Sequence, residues 1–281
     1  MKKLAYASIF SALMLSPLSA FAGDTTEPLD PGTIELAPSF TIDNLHDGKP
    51  NIGSEFAIAV GAFEGFTVTG IVGFSSSDGL AGGTISGGVN ATYGAVDTDH
   101  FDFDVMLDFG YDDGYYVTPS FEFNYDLEPD LALWGLYLRA GLPITGGYDE
   151  EKLANLGEDG DTADAAVADV GLELTLGTYV TFGEIFQVLI EGGFTVENLA
   201  GKLGDTGIVD PFISIGFNTQ VNDNFELITE FKANLPAPDE DDYKFSGALT
   251  IGGAFDVFTS SDVPEADAGS DDSESKSKDD A

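Results

Sequence analysis

The feature that most constrains this chain is an alternation of apolar and polar side chains with period two, sustained over long segments and repeated twelve times. From His100 to Tyr111, one phase holds Phe101, Phe103, Val105, Leu107, Phe109 and Tyr111, and the other holds Asp102, Asp104, Met106 and Asp108. A helix would mix these two sets on every face, whereas a strand separates them cleanly. The same separation runs through Thr33–Asp43, Glu55–Phe63, Phe66–Phe74, Thr84–Val96, Tyr115–Asp126, Ala132–Ile144, Ala168–Phe182, Phe186–Val196, Val209–Gln220, Phe225–Asn234 and Lys244–Phe258. Most of these segments are 9 to 13 residues long. Tilted strands that cross hydrocarbon need about 9–11 residues, while strands of soluble proteins cluster near about 5–6.

The two phases differ sharply in charge. The apolar phase runs from Ile34, Leu36 and Phe40 to Leu249, Ile251, Phe255 and Val257, and none of its positions is charged although 21% of the chain is. The opposite phase carries Glu35, Asp43, Glu55, Asp102, Asp104, Asp108, Glu122, Asp126, Asp169, Glu173, Glu191, Asp210, Glu226, Glu230 and Asp256, against Arg139, Lys232 and Lys244. That face has a net charge of −12. Alternation alone does not say which phase meets water, because a β-sandwich buries its apolar phase against a second sheet. The connections discriminate. In order they hold 11, 2, 9, 3, 3, 5, 23, 3, 12, 4 and 9 residues, so every second gap is short and the others are long except Asp112-Asp113-Gly114. Tight turns at one end and long loops at the other belong to a membrane barrel. Greek-key connections have no reason to keep that parity.

Composition narrows the remaining classes. The chain has 281 residues, 50 acidic and 10 basic side chains, a formal charge of −40 and no cysteine. Disulfide scaffolds, thiolate metal sites and cysteine nucleophiles are excluded. Nucleic acid is excluded as a partner because its affinity for proteins comes from clustered Lys and Arg. Hydrophobic residues at 43% are too many for an acidic disordered protein. Residues 1–22 read as a secretory signal peptide, with Lys2 and Lys3, an apolar run from Leu4 to Leu15, and Ala20-Phe21-Ala22 before the cut. Residues 23–32 follow as a periplasmic lead, 33–258 as the barrel, and 259–281 as an acidic disordered tail with eight acids and two lysines.

The last strand runs Thr250-Ile251-Gly252-Gly253-Ala254-Phe255-Asp256-Val257-Phe258. Here the chain resembles the Gram-negative outer-membrane β-barrel proteins, with Thr250, Gly252, Phe255 and Val257 in the roles of their C-terminal assembly signal. It departs from them in the 23 residues that follow that strand. The resemblance implies an all-β fold, an antiparallel up-and-down transmembrane β-barrel of about 12 strands in the cell outer membrane. It also implies outer-membrane lipid and the barrel-assembly machinery as partners, the latter through the last strand. An even strand count puts both termini in the periplasm. A secreted soluble β-sandwich is the competing reading.

Chemistry-bearing residues are sparse. His46 lies among acids in the first long connection and His100 opens a strand, but neither sits in a His-x-Ser pair, since the triplets are His46-Asp47-Gly48 and His100-Phe101-Asp102. No catalytic residue, metal site or cofactor is expected. The acidic runs Glu158–Asp164 and Asp239–Asp242 lack calcium-loop spacing, and Asp149 to Leu156 before Gly157 is consistent with a two-turn helix. The informative surface is the inward one. Asp102, Asp104, Asp108, Glu122, Arg139, Asp169, Glu173, Glu191, Glu226, Glu230 and Lys232 are expected to line the lumen. Arg139 is the one arginine of the chain, and strand order sets Glu122 and Glu173 on its two sides. It is either a brace against the acidic wall or one pole of a transverse field. Inward Gly61, Gly94, Gly177 and Gly193 favour an open lumen, and Tyr116, Tyr137, Tyr179 and Phe212 narrow it. Twelve strands lie between filled eight-stranded barrels and water-filled porins. The expected function is passive diffusion of small polar solutes with a weak preference for cations; a structural or surface-contact barrel is the rival. Acidity throughout the loops also fits halophilic adaptation.

Overall fold

The computed structural model describes residues 28–43, 50–77, 82–98, 100–111, 114–127, 133–148, 166–183, 185–197, 199, 208–222, 224–235 and 246–258. The signal peptide expected at 1–22, His46, both acidic runs, the helix expected at 149–156 and the tail 259–281 lie outside the described residues. The described residues form fourteen strand segments: β1 Ile34–Asp43, β2 Asn51–Phe63, β3 Phe66–Ser77, β4 Gly82–Thr98, β5 Phe101–Tyr111, β6 Tyr115–Leu127, β7 Leu133–Gly141, β8 Ile144–Tyr148, β9 Ala166–Val170, β10 Leu172–Phe182, β11 Phe186–Glu197, β12 Ile208–Asn222, β13 Phe225–Asn234 and β14 Ser246–Phe258. They make twelve staves, because β8 continues β7 past Leu142-Pro143 and β9 leads into β10 past Gly171. Pro143 has no N–H for the ladder, so the stave is interrupted there. Its carbonyl still accepts from Gly171 N at 2.7 Å, and Leu142 N donates to Pro119 O at 3.0 Å.

Each stave pairs antiparallel with its sequence neighbours, and β1 pairs with β14 from Ile34↔Phe258 to Ile42↔Leu249. That last ladder closes the sheet on itself and leaves no exposed edge along the barrel. The tight connections are 64–65, 99–100, 128–132, 183–185 and 223–224; the opposite end carries 44–50, 78–81, 112–114, 149–165, 198–207 and 235–245. Several staves outrun their apolar phase. β3 and β4 stay paired out to Ser77↔Gly82, which shortens a connection that the sequence pattern leaves at nine residues. Hydrogen bonding of the ladder needs only main chain, so it continues where apolar alternation has stopped.

Orientation of the two phases is inverted relative to a soluble protein. Ile85 is 72% exposed and Leu176 62%, while Asp104 is 2% and Glu122 3% exposed. On β5, Val105, Leu107 and Phe109 face outward and Asp104, Met106 and Asp108 inward. A band of large apolar side chains around a whole molecule is not a wetted surface; it matches hydrocarbon. The pairs Phe101/Phe123, Phe103/Phe121 and Phe225/Phe255 pack ring to ring across neighbouring staves, with centroids 4.3, 6.0 and 4.3 Å apart. Among the described residues no helix is long and apolar enough to cross a membrane.

Candidate functional site in the barrel lumen

Inward positions recur every second residue, so the acids of the polar phase converge on the barrel axis from most of its circumference. Arg139 on β7 is their hub. Its Nη2 lies 2.5 Å and its Nε 2.6 Å from Glu122 Oε2, and the register sets these two residues directly opposite on β7 and β6. Asp108 on β5, Glu173 on β10, Glu191 on β11 and Glu230 on β13 are also within electrostatic reach of Arg139. Lys232 on β13 interacts with Glu173 and Glu230 and places its Nζ 4.0 Å from the centre of the Phe212 ring. Five carboxylates and two cations therefore form a belt across the lumen. Asp108 and Glu122 are buried, and salt screens the fields of buried charges less than those of exposed ones.

The register adds to what strand order gives. Glu122 and Glu173 lie on the two staves that flank Arg139; Glu122 is directly opposite it, whereas on β10 Thr175 is opposite it and Glu173 pairs with Gly141. Strand order names the neighbouring stave, whereas the stagger of the ladder decides which residue on it arrives at the same level.

Two tyrosines brace the inner wall in a way the sequence reading did not capture. Tyr137 lies over Gly177 on the adjacent stave, where an added Cβ would fall 2.2 Å from its ring, and donates its hydroxyl to Glu191 Oε2 one stave further on. Tyr179 does the converse: it covers Gly135, with the same 2.2 Å approach, and donates to Asp126 Oδ1 on β6. Each glycine is required because any side chain there would occupy the ring's place. The signal was present as inward Tyr and inward Gly on neighbouring staves, but it becomes legible only when the register is known. Ser214 Oγ donates to the second oxygen of Glu191 at 2.8 Å, and Asn124 Nδ2 donates to Glu122 Oε1 at 3.2 Å. Asn90 Nδ2 donates to Asp108 Oδ1 at 2.6 Å, with Thr92 Oγ1 behind it at 2.9 Å from Asn90 Oδ1.

The other expected lumenal residues take inward positions away from the hub. Asp102 pairs with Asn124 near the tight-turn end, Glu226 stands opposite Ala254, and Asp169 is buried near the other end with its Oδ1 2.7 Å from Val170 N. His100 is exposed in the 99–100 turn, where its carbonyl accepts from Asp126 N at 3.0 Å. Among the described residues no group of three or more His, Asp or Glu side chains is arranged to hold a metal ion.

No protein-family model and no curated protein matches the sequence. Solved structures do match in shape. The NanC porin superposes with a TM-score of 0.54 at 9% identity, over 80% of this chain and 100% of that one. The COG4313 outer membrane channel from Pseudomonas putida F1 gives 0.53 at 12% identity, over 83% of this chain and 99% of that one. This chain has the outer-membrane β-barrel fold. The barrel matches the translocator domain of autotransporter NalP from Neisseria meningitidis equally well, at 0.54 and 10% identity over 90% of this chain and 97% of that one. Porins, a channel and a translocator share the architecture, so function has to be argued from the lumen itself.

Proposed function

We propose that this protein is an outer-membrane channel that passes small polar solutes by diffusion, with a weak preference for cations. The observation that carries the reading is the belt, in which Asp108, Glu122, Glu173, Glu191 and Glu230 outnumber Arg139 and Lys232 inside an apolar wall. A net negative ring in a low-dielectric sleeve focuses a potential that concentrates cations and repels anions. Asp102, Asp104, Asp169 and Glu226 extend the same sign toward both mouths. In this reading the apolar exterior contacts outer-membrane lipid, the tight turns face the periplasm, and the last strand serves the assembly machinery. The test is a planar bilayer holding the refolded mature protein across a salt gradient. A reversal potential of the sign for cations is expected, and a preference for anions refutes the assignment.

A specific observation favours a second reading, a closed barrel that acts by its external surface. Met106, Tyr137, Tyr179 and Leu189 point inward and are buried, so bulky groups share the lumen with the belt. Absence of conductance at high salt, from protein shown to be folded, selects that reading.

A further inference from the structure

The segment before β1, expected from the sequence to be a periplasmic lead, turns back into the barrel over its described residues 28–33. Asp30-Pro31-Gly32-Thr33 closes a tight turn in which Thr33 N donates to Asp30 O at 2.9 Å and Gly32 has a φ of 85°. Proline followed by a positive-φ glycine is the signature of a type II turn, which reverses the chain at the foot of β1. Gly32 N then donates to Gly61 O at 2.8 Å, and Gly61 N to Thr33 O at 3.0 Å, which fixes the turn against β2.

From there the reversed chain crosses three inner faces in succession. Gly61 shares the inward phase of Ala57 and Ala59, and a Cβ there would fall 2.1 Å from Asp30 O and 2.7 Å from Leu29 O. The main chain thus lies directly on β2. On β3, Leu29 N donates to the inward hydroxyl of Thr67 at 2.7 Å. On β4, the Pro28 ring stands 3.1 Å from where a Cβ on Gly94 would be, and that same point is 3.4 Å from Asp104 Oδ1. Neighbouring staves are about 4.8 Å apart, so the segment reaches about 10 Å around the inner wall. Two of these three contacts are at glycines, the residues that leave room for a second layer of backbone.

We propose that Pro28–Asp30 form a fixed strap inside the mouth at the foot of β1, narrowing the lumen on its β2–β4 side, so that displacing it widens the path. The idea of a path rests on the channel reading; the position of the strap does not. Because the chain has no cysteine, single thiols report position without background. In folded, detergent-solubilised protein, Leu29→Cys should react with a maleimide about tenfold more slowly than Glu64→Cys in the exposed 64–65 turn, since protection follows local opening. Adding Gly61→Val, whose side chain needs the volume of the Asp30 carbonyl, should bring the two rates within about twofold. In planar bilayers, removal of residues 23–30 should raise single-channel conductance by about half or more, and this truncation serves if Gly61→Val does not fold. Equal labelling of Leu29→Cys and Glu64→Cys in the parent overturns the strap. Protection of Leu29→Cys with conductance unchanged by the truncation overturns the narrowing. Protection in a barrel silent in every variant overturns the channel reading and leaves the strap in place.

Discussion

Replacing Arg139 by Met keeps the length of the side chain and removes the charge at the hub of the belt. Glu122, 4% exposed at its side chain, then loses both N–H···O contacts at 2.5 and 2.6 Å while Asp104 remains directly across the ladder on the other side. Removing one partner of a buried ion pair costs about 3–5 kcal/mol because the other charge is left without compensation. Arg139 is 21% exposed, so some water remains to solvate the stranded carboxylate, and the lower end, about 3 kcal/mol, applies. That corresponds to a loss of about two powers of ten in the folding equilibrium constant. The single tryptophan, Trp134 on β7, is a built-in probe for urea unfolding in lipid vesicles. Glu122→Gln in the Arg139→Met background should recover about 2 kcal/mol, because the carboxylate that had been stranded is now neutral. If Arg139→Met costs under about 1 kcal/mol and the two changes simply add, the ion pair is not holding the wall and the reasoning fails. The same variant should shift the reversal potential further toward cations, since one positive charge has left the path.

Gly177→Ala puts a Cβ 2.2 Å from the Tyr137 ring and forces it off Glu191; destabilisation of about 2–4 kcal/mol is expected from overpacking plus a lost charge-assisted hydrogen bond, read as a shift in urea midpoint. Leu176→Arg, on the lipid-facing side, should cost about 2–4 kcal/mol in vesicles if it lies near the midplane, and a neutral result would place that face elsewhere than in hydrocarbon. Asp108→Asn keeps the shape and its contact with Asn90 but removes one belt carboxylate, so cation preference should fall in a salt-gradient measurement. Lys232→Met should do the opposite.

Strand positions, their inward and outward phases and the closed up-and-down order were legible because a period of two is a one-dimensional signal. Each side chain in a strand alternates faces regardless of what lies next to it, so Asp104 and Leu107 declared their sides before any partner was known. Stave ends were less legible, as at Ser77↔Gly82, because main-chain pairing leaves no mark on side-chain pattern. The breaks at Leu142-Pro143 and at Gly171 divide two staves of the twelve into four segments.

What the amino-acid order determined by itself is therefore the inversion: a chain with an uncharged apolar phase in every strand and an acidic opposite phase has one way to satisfy both in a membrane. What only the tertiary structure decided is which of those inward groups meet. The stagger of each ladder brought Thr175 rather than Glu173 opposite Arg139, laid Tyr137 on Gly177 and Tyr179 on Gly135, and a single Pro-Gly turn sent residues 28–30 across the inner wall. Those contacts depend on register and on the path of the chain through space, and neither quantity is written in the alternation along one strand.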